Sequence, residues 1–352
     1  MAGFSWIVIA SLAFSGLFNQ SSGFVRAVKQ KNQIEVRALY MSAYTAGSAK
    51  KRAGIVQLIK KSNLNSVVID VKDSTGKVFF ESNVPLAKDI GSEHANIAPD
   101  LPKFLQELKK NNIYAIARIA VFEDPYLAER APSISLKTKD GKIWRDKKGL
   151  AWVDPSSPVV WKYVADIGRS ALLLGFDELN FDYIRFPTDG NIENISYPVF
   201  QEKTEKKNEI IAEFFYFINK SFKNYPAYIS VDLFGITLWR SDGINIGQRY
   251  QDAAEYVDYI SPMVYPSHYP DGFEGYANPA DFPYEIVFKS LEKSRTFMKN
   301  KHAKMRPWLQ DFDLGAVYDK EKVQAQIKAA KDSGSSGYMF WNASNRYTED
   351  AF

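Results

Sequence analysis

Two periods of hydrophobic and polar positions run along this chain. Short segments alternate every second residue and read as strands: Val36 to Met41, Val67 to Asp73, Tyr114 to Val121, Phe176 to Asp182, Tyr228 to Leu233, Tyr259 to Tyr265, Met305 to Phe312 and Gly337 to Trp341. Between them, apolar residues recur at helical spacing over about 50–61, 99–110, 158–174, 202–222, 247–256, 284–299 and 320–333. Eight strands interleaved with helices predict an α/β fold, a (β/α)8 TIM barrel with long βα loops. An open doubly wound sheet is the alternative. It fits the strand count less well, and no Gly-rich phosphate turn follows the first strand.

One stretch organises the rest, Gly175 to Pro187 (GFDELNFDYIRFP). Gly175 ends a helical pattern. After it Leu179 and Phe181 fall on one face, and Glu178, Asn180 and Asp182 on the other. A strand with three polar residues on its buried side fits a barrel: the apolar face packs on helices and the polar face lines the axis. Asp182 then stands at the strand's C-terminal end, where barrel enzymes place their chemistry.

Loop lengths agree. The helix-to-strand links are short, as at Ser62 to Asn65 and Ser333 to Ser336, whereas several strand-to-helix links are long: Ser74 to Ala98, Phe122 to Ser157, Tyr183 to Gln201 and Pro266 to Pro283. The long loops carry Trp144, Trp152, Tyr197, His268, Tyr269 and Tyr276. Aromatics make up 14% of the chain, more than a core requires, so some are expected to line a cleft and stack on sugar rings. The other use for them is packing the loops onto the barrel rim.

Composition removes several chemistries. With no cysteine there is no disulfide, thiolate metal site or thiol nucleophile. The three histidines, His94, His268 and His302, are too dispersed for a His-based metal site or a Ser-His-Asp triad. The net charge of +4 comes without a basic stripe, so no nucleic-acid partner is expected. At the N-terminus the uncharged run Phe4 to Phe18 suits a signal peptide or an uncleaved membrane anchor, and Ser21 to Gln33 reads as a polar linker. The expected division is therefore 1–33 as leader or anchor with linker and 34–352 as the barrel. The protein is expected to be exported, either secreted or associated with the cell envelope.

Applied strand by strand, the alternation points Asp70 and Lys72, Arg118, Asp182, Ser230 and Asp232, and Tyr265 toward the axis. On the seventh strand either Trp308 and Gln310 or Asp311 face it, and the eighth offers Trp341 or Asn342. Asp182 and Asp232 end adjacent strands. Two facing carboxylates suit glycoside hydrolysis, one attacking the anomeric carbon or activating water and the other protonating the leaving oxygen. Arg185, Arg118 and Lys72 are candidate cations to keep one of them ionised. Paired carboxylates also bind Mg²⁺ or Ca²⁺. No compact run of oxygen ligands accompanies these two, so neither a metal nor another cofactor is expected.

The motifs Phe181 to Pro187 (FDYIRFP), Ile69 to Asp73 (IDVKD) and Ile260 to Pro266 (ISPMVYP) resemble the strand-four, strand-two and strand-six signatures of a bacterial glycoside hydrolase domain family. The resemblance runs from about Val36 to Trp341. It implies a TIM barrel distantly similar to the α-amylase-like enzymes, which carry a nucleophilic Asp on strand four and an acid/base on strand five. Those roles fall on Asp182 and Asp232, although the amylase group typically has Glu at the second position. On this reading an oligosaccharide or polysaccharide is held by Asp70, Lys72, Arg118, Arg185, Tyr265, Trp308, Gln310, Asp311 and Trp341. A barrel of the cell envelope that binds glycan without cleaving it is the alternative.

Overall fold

The computed structural model describes residues 34–352, so the expected leader or anchor and its linker lie outside the described residues. Eight parallel strands close on themselves: β1 (Val36–Met41), β2 (Ser66–Lys72), β3 (Tyr114–Ala120), β4 (Glu178–Asp182), β5 (Tyr228–Phe234), β6 (Tyr259–Met263), β7 (Trp308–Gln310) and β8 (Gly337–Trp341). Each pairs with its neighbours in chain order, and β1 pairs with both β2 and β8. A two-residue strand, Lys304–Met305, extends the β7 edge along β6. Pro307, which has no N–H to donate, separates it from β7.

The alternation sorts side chains into two apolar layers. Leu39, Val67, Ile69, Leu179, Phe181, Val231 and Leu309 face outward into the large core beneath the helices. Val36, Ala38, Tyr40, Val68, Ile116, Trp308 and Met339 form a small core inside the barrel. The principal helices are Ala49–Lys61, Leu101–Lys110, Pro158–Leu174, Lys207–Phe222, Pro283–Lys293 and Lys320–Asp332. The third ends at Gly175 with φ of 111°, a left-handed backbone that only glycine adopts cheaply, and the reversal launches β4.

The lower barrel is closed by charge. Arg306 forms a fully buried ion pair with Glu178 of β4, its second nitrogen donates to the same carboxylate at 3.2 Å, and its guanidinium carbon lies 4.2 Å from the centre of the Tyr259 ring. Tyr114 and Ser230 also donate to Glu178, at 3.2 and 2.7 Å. Arg306→Met would strand that carboxylate in the interior, and a loss of about 3–5 kcal/mol in unfolding free energy is expected by denaturant titration. A smaller loss would mean that Glu178 accepts a proton instead.

Candidate active site

Four strands deliver charged side chains to the upper barrel. Asp70 of β2 and Arg118 of β3 are register partners, and the pairing of Phe181 with Val231 sets Asp182 and Asp232 side by side on β4 and β5. Arg118 is the hub. Its Nη1 donates to Asp70 Oδ1 at 2.6 Å, its Nη2 is ion-paired with Asp182 Oδ2, and its Nε lies 3.9 Å from Asp232 Oδ2. The Tyr40 hydroxyl donates to the other oxygen of Asp70. Burial disfavours the guanidinium charge, but Asp70 and Asp182 outweigh it and hold Arg118 firmly cationic.

The two neighbouring carboxyls stand in different surroundings. Asp182 has Arg118 on one oxygen and accepts the Tyr183 backbone N–H on the other at 2.6 Å. That N–H turns back because Tyr183 has φ of 57°, an unusual conformation for a non-glycine residue. Asp232 is 1% exposed. Its Oδ1 accepts from Asn180 at 2.7 Å, and its Oδ2 makes no hydrogen bond among the described residues. Burial, and then the Asp182 charge, push the Asp232 carboxyl well above the usual range. Arg118, Asn180 and the nearby Trp308 N–H only partly oppose this, and that N–H does not close a hydrogen bond. Such surroundings keep one carboxyl protonated beside an ion-paired partner.

Both line a cavity of about 640 Å³ walled by Arg118, Tyr183, Arg185, Phe234, Tyr265, Trp308 and Trp341 among others. A second cavity of about 670 Å³ adjoins it across Tyr265, His268 and Trp341. This is the size and polar-aromatic mix of a small-molecule or oligosaccharide site.

Residues 38–347 match a protein family described as "putative glycosyl hydrolase domain". The chain belongs to this family. A hypothetical protein of Ruminiclostridium thermocellum is 33% identical over 58% of this chain and 98% of its own, with a TM-score of 0.51. The PgaB (BpsB) glycoside hydrolase domain of Bordetella bronchiseptica superposes with a TM-score of 0.62 at 13% identity, covering 88% of this chain and 94% of that one. An alpha-galactosidase of Thermus thermophilus gives 0.56 at 12% identity, over 90% and 59% respectively. At these identities the last two establish the TIM-barrel fold. No curated protein sequence matches the chain significantly.

Within this glycosyl hydrolase family fold, most expected site residues reach the pocket and several do not. Asp182, Asp232, Arg118, Arg185, Tyr265, Trp308 and Trp341 line it. Asp70 lies behind Arg118 as its second carboxylate. Lys72 does not point into the site. A register shift between Asp70 and Lys72 breaks the alternation, so Lys72 turns away, donates to the Ala120 carbonyl and pairs with Asp124 at 3.0 Å, fully buried. Gln310 is buried beneath the loop after β6, accepting from Ser267 and donating to the Phe312 carbonyl. Asp311 lines the adjoining cavity and accepts from Thr348. Arg185 is not the ion partner of Asp182, because Arg118 fills that place. Among the loop aromatics, Trp144 and Trp152 are buried and donate to Asn191 and Asp146, so they pack the long loops. His268 and Tyr269 do border the pocket.

Glu123, three residues beyond β3, was not anticipated. It is 2% exposed, its Oε1 has no hydrogen-bond partner among the described residues, and burial pushes its carboxyl up to about 7 despite Arg185 nearby. A carboxyl raised on folding adds stability that is complete below its unfolded pKa, and that stability is lost as pH rises through about 7. Glu123→Gln stays neutral throughout. Unfolding free energies measured from pH 5 to 8 should therefore shift progressively in favour of the variant, by about 2–3 kcal/mol in all. Parallel curves for the two proteins would show that Glu123 is not raised.

Proposed function

We propose that this protein is a retaining glycoside hydrolase with Asp182 as nucleophile and Asp232 as acid/base. The observation that carries the reading is the contrast between two register-adjacent carboxyls in one pocket, one ion-paired to Arg118 and the other buried with no hydrogen bond on Oδ2 among the described residues. Strands lie about 5 Å apart, which favours the short carboxyl separation of double displacement over the longer one of inversion.

Asn180 occupies Asp232 Oδ1, so the proton belongs on Oδ2. That proton passes to the glycosidic oxygen as its bond to the anomeric carbon breaks, and Asp182 bonds to that carbon. Water then attacks the same carbon, gives its proton to the Asp232 carboxylate, and releases Asp182. Arg118 holds the Asp182 carboxylate in place between turnovers. The substrate is an oligosaccharide, polysaccharide or cell-envelope glycan. An exported location is part of this reading, on the strength of the apolar run Phe4 to Phe18.

A second reading, a barrel that binds glycan without cleaving it, draws on the near-complete enclosure of Asp232 Oδ2. Incubation with bacterial and plant polysaccharides, assayed for new reducing ends, separates the two. Release establishes hydrolysis, and NMR of the first product reads its anomeric outcome. Binding without release on long incubation supports the second reading.

A further inference from the structure

Four cations are buried among the described residues: Lys72, Arg118, Arg185 and Arg306. Three of them touch carboxylates, namely Asp124, the Asp70 and Asp182 pair, and Glu178. Arg185 is the exception. It is 8% exposed, lines the pocket, and has no carboxylate within 4.0 Å among the described residues. Only its Nη1 donates, to two neutral oxygens: the Phe186 carbonyl at 3.3 Å and the Thr188 hydroxyl at 3.2 Å. Trp152, Phe234 and Tyr183 surround its guanidinium carbon at 4.7, 5.0 and 5.7 Å from their ring centres. Burial lowers its proton affinity, and Glu123 is the foremost of the distant groups that restore it.

A buried charge without a contacting counter-ion is costly, and the rings that hold Arg185 fix its orientation. Lys148 lines the same pocket and makes no ion pair among the described residues. The pocket thus presents Arg118, Arg185 and Lys148 against Asp182 and Asp232, and Arg118 is already engaged by carboxylates. A neutral sugar would offer hydroxyl oxygens but no counter-ion to Arg185 or Lys148. A planar carboxylate would receive the free Nε and Nη2 edge of Arg185 in the two-pronged geometry that guanidinium favours.

We infer that the sugar unit seated beside Arg185 and Lys148 carries a carboxylate, so that the substrate is an acidic glycan. The inference rests on the pocket being the glycan site proposed above, but not on cleavage there. Two sources supply such a group: the C6 carboxylate of a uronic acid and the lactyl ether of a muramic-type sugar.

The test is equilibrium binding to the full chain, by calorimetry or saturation-transfer NMR. D-glucuronate is compared with D-glucose, and N-acetylmuramate with N-acetylglucosamine. In at least one pair the acid should bind about 10- to 100-fold more tightly, with the advantage shrinking as salt rises. The pair that discriminates identifies the source. Arg185→Gln should erase the preference, with a melt to verify folding. Lys148→Ala changes an exposed side chain and should reduce the preference in part, which keeps the test decisive if the first variant does not fold. Asp182→Asn should bind the acid as the wild type does or more tightly. Equal binding within both pairs, no binding of either acid, or a preference that survives both substitutions overturns the inference. Reducing ends released from neutral glycan with no acid preference would leave hydrolysis standing while removing the acidic substrate. Acid preference without any release would do the reverse.

Discussion

Asp182→Asn should abolish release of reducing ends, with a fall in kcat of about 10⁴-fold or more, while leaving the barrel folded. The amide cannot form the glycosyl ester, and among the described residues Asp70 is taken up by Arg118 and Tyr40 while the proposed mechanism uses Asp232 as the acid. Folding should survive because the asparagine oxygen can still accept the Tyr183 N–H and because Arg118 retains Asp70. Reducing-end assays with parallel thermal melts check both halves. Full activity in the variant would remove Asp182 from the mechanism, and loss of the fold would mean that its pairing with Arg118 is chiefly structural.

Asp232→Asn should cost about 10²–10⁴-fold, graded by the leaving group. Natural glycosidic oxygens need the proton, so their cleavage should suffer most. A dinitrophenyl glycoside, whose leaving group departs as a stable anion, should form the covalent intermediate nearly unimpaired. The pH profile carries the same information. On the proposed mechanism Asp232 acts when protonated, and its carboxyl is raised by burial and by Asp182, so wild-type kcat/KM should fall as pH climbs through the Asp232 value. The variant should lack that limb. Stability has a matching sign: the raised carboxyl stabilises the fold fully below its unfolded pKa, and that contribution disappears as pH rises through the folded value. The variant should therefore be the more stable protein above that value. Equal losses for good and poor leaving groups would take the acid role away from Asp232.

Much of the barrel was readable because successive side chains point alternately to the apolar helix layer and to an axis that carries polar groups. The ends of β1, β3, β4 and β8 fall close to where periodicity put them. The failures have local causes. Lys72 was assigned to the axis by counting in twos, and one extra residue in the ladder turned it outward. Pro307 interrupts the seventh strand, so its phase could not be followed through the break, although Trp308 does face the site. Of the three candidate cations, Arg185 lies nearest Asp182 along the chain, whereas the barrel brings Arg118 of the preceding strand into contact with it. Asp182 and Asp232 stand within the C-terminal ends of their strands, whereas Glu123 lies three residues past β3, inside a long loop that alternation does not reach. The roles of Asn180 and the Arg306–Glu178 pair depend on how deep each side chain sits along the axis, which a period of two does not reveal.

Tyr183 links the site to the evolution of the fold. Its left-handed backbone costs on the order of 1–2 kcal/mol that glycine would avoid, yet the same turn directs an N–H at Asp182 and sets an aromatic ring beside Arg185. Glycine there would relieve the turn but remove the ring's packing on Trp152 and Arg185, so the two effects on stability oppose each other. Drift at this position can thus leave the fold nearly as stable while altering how Asp182 and Arg185 are presented to the pocket, without any substitution among the acids themselves.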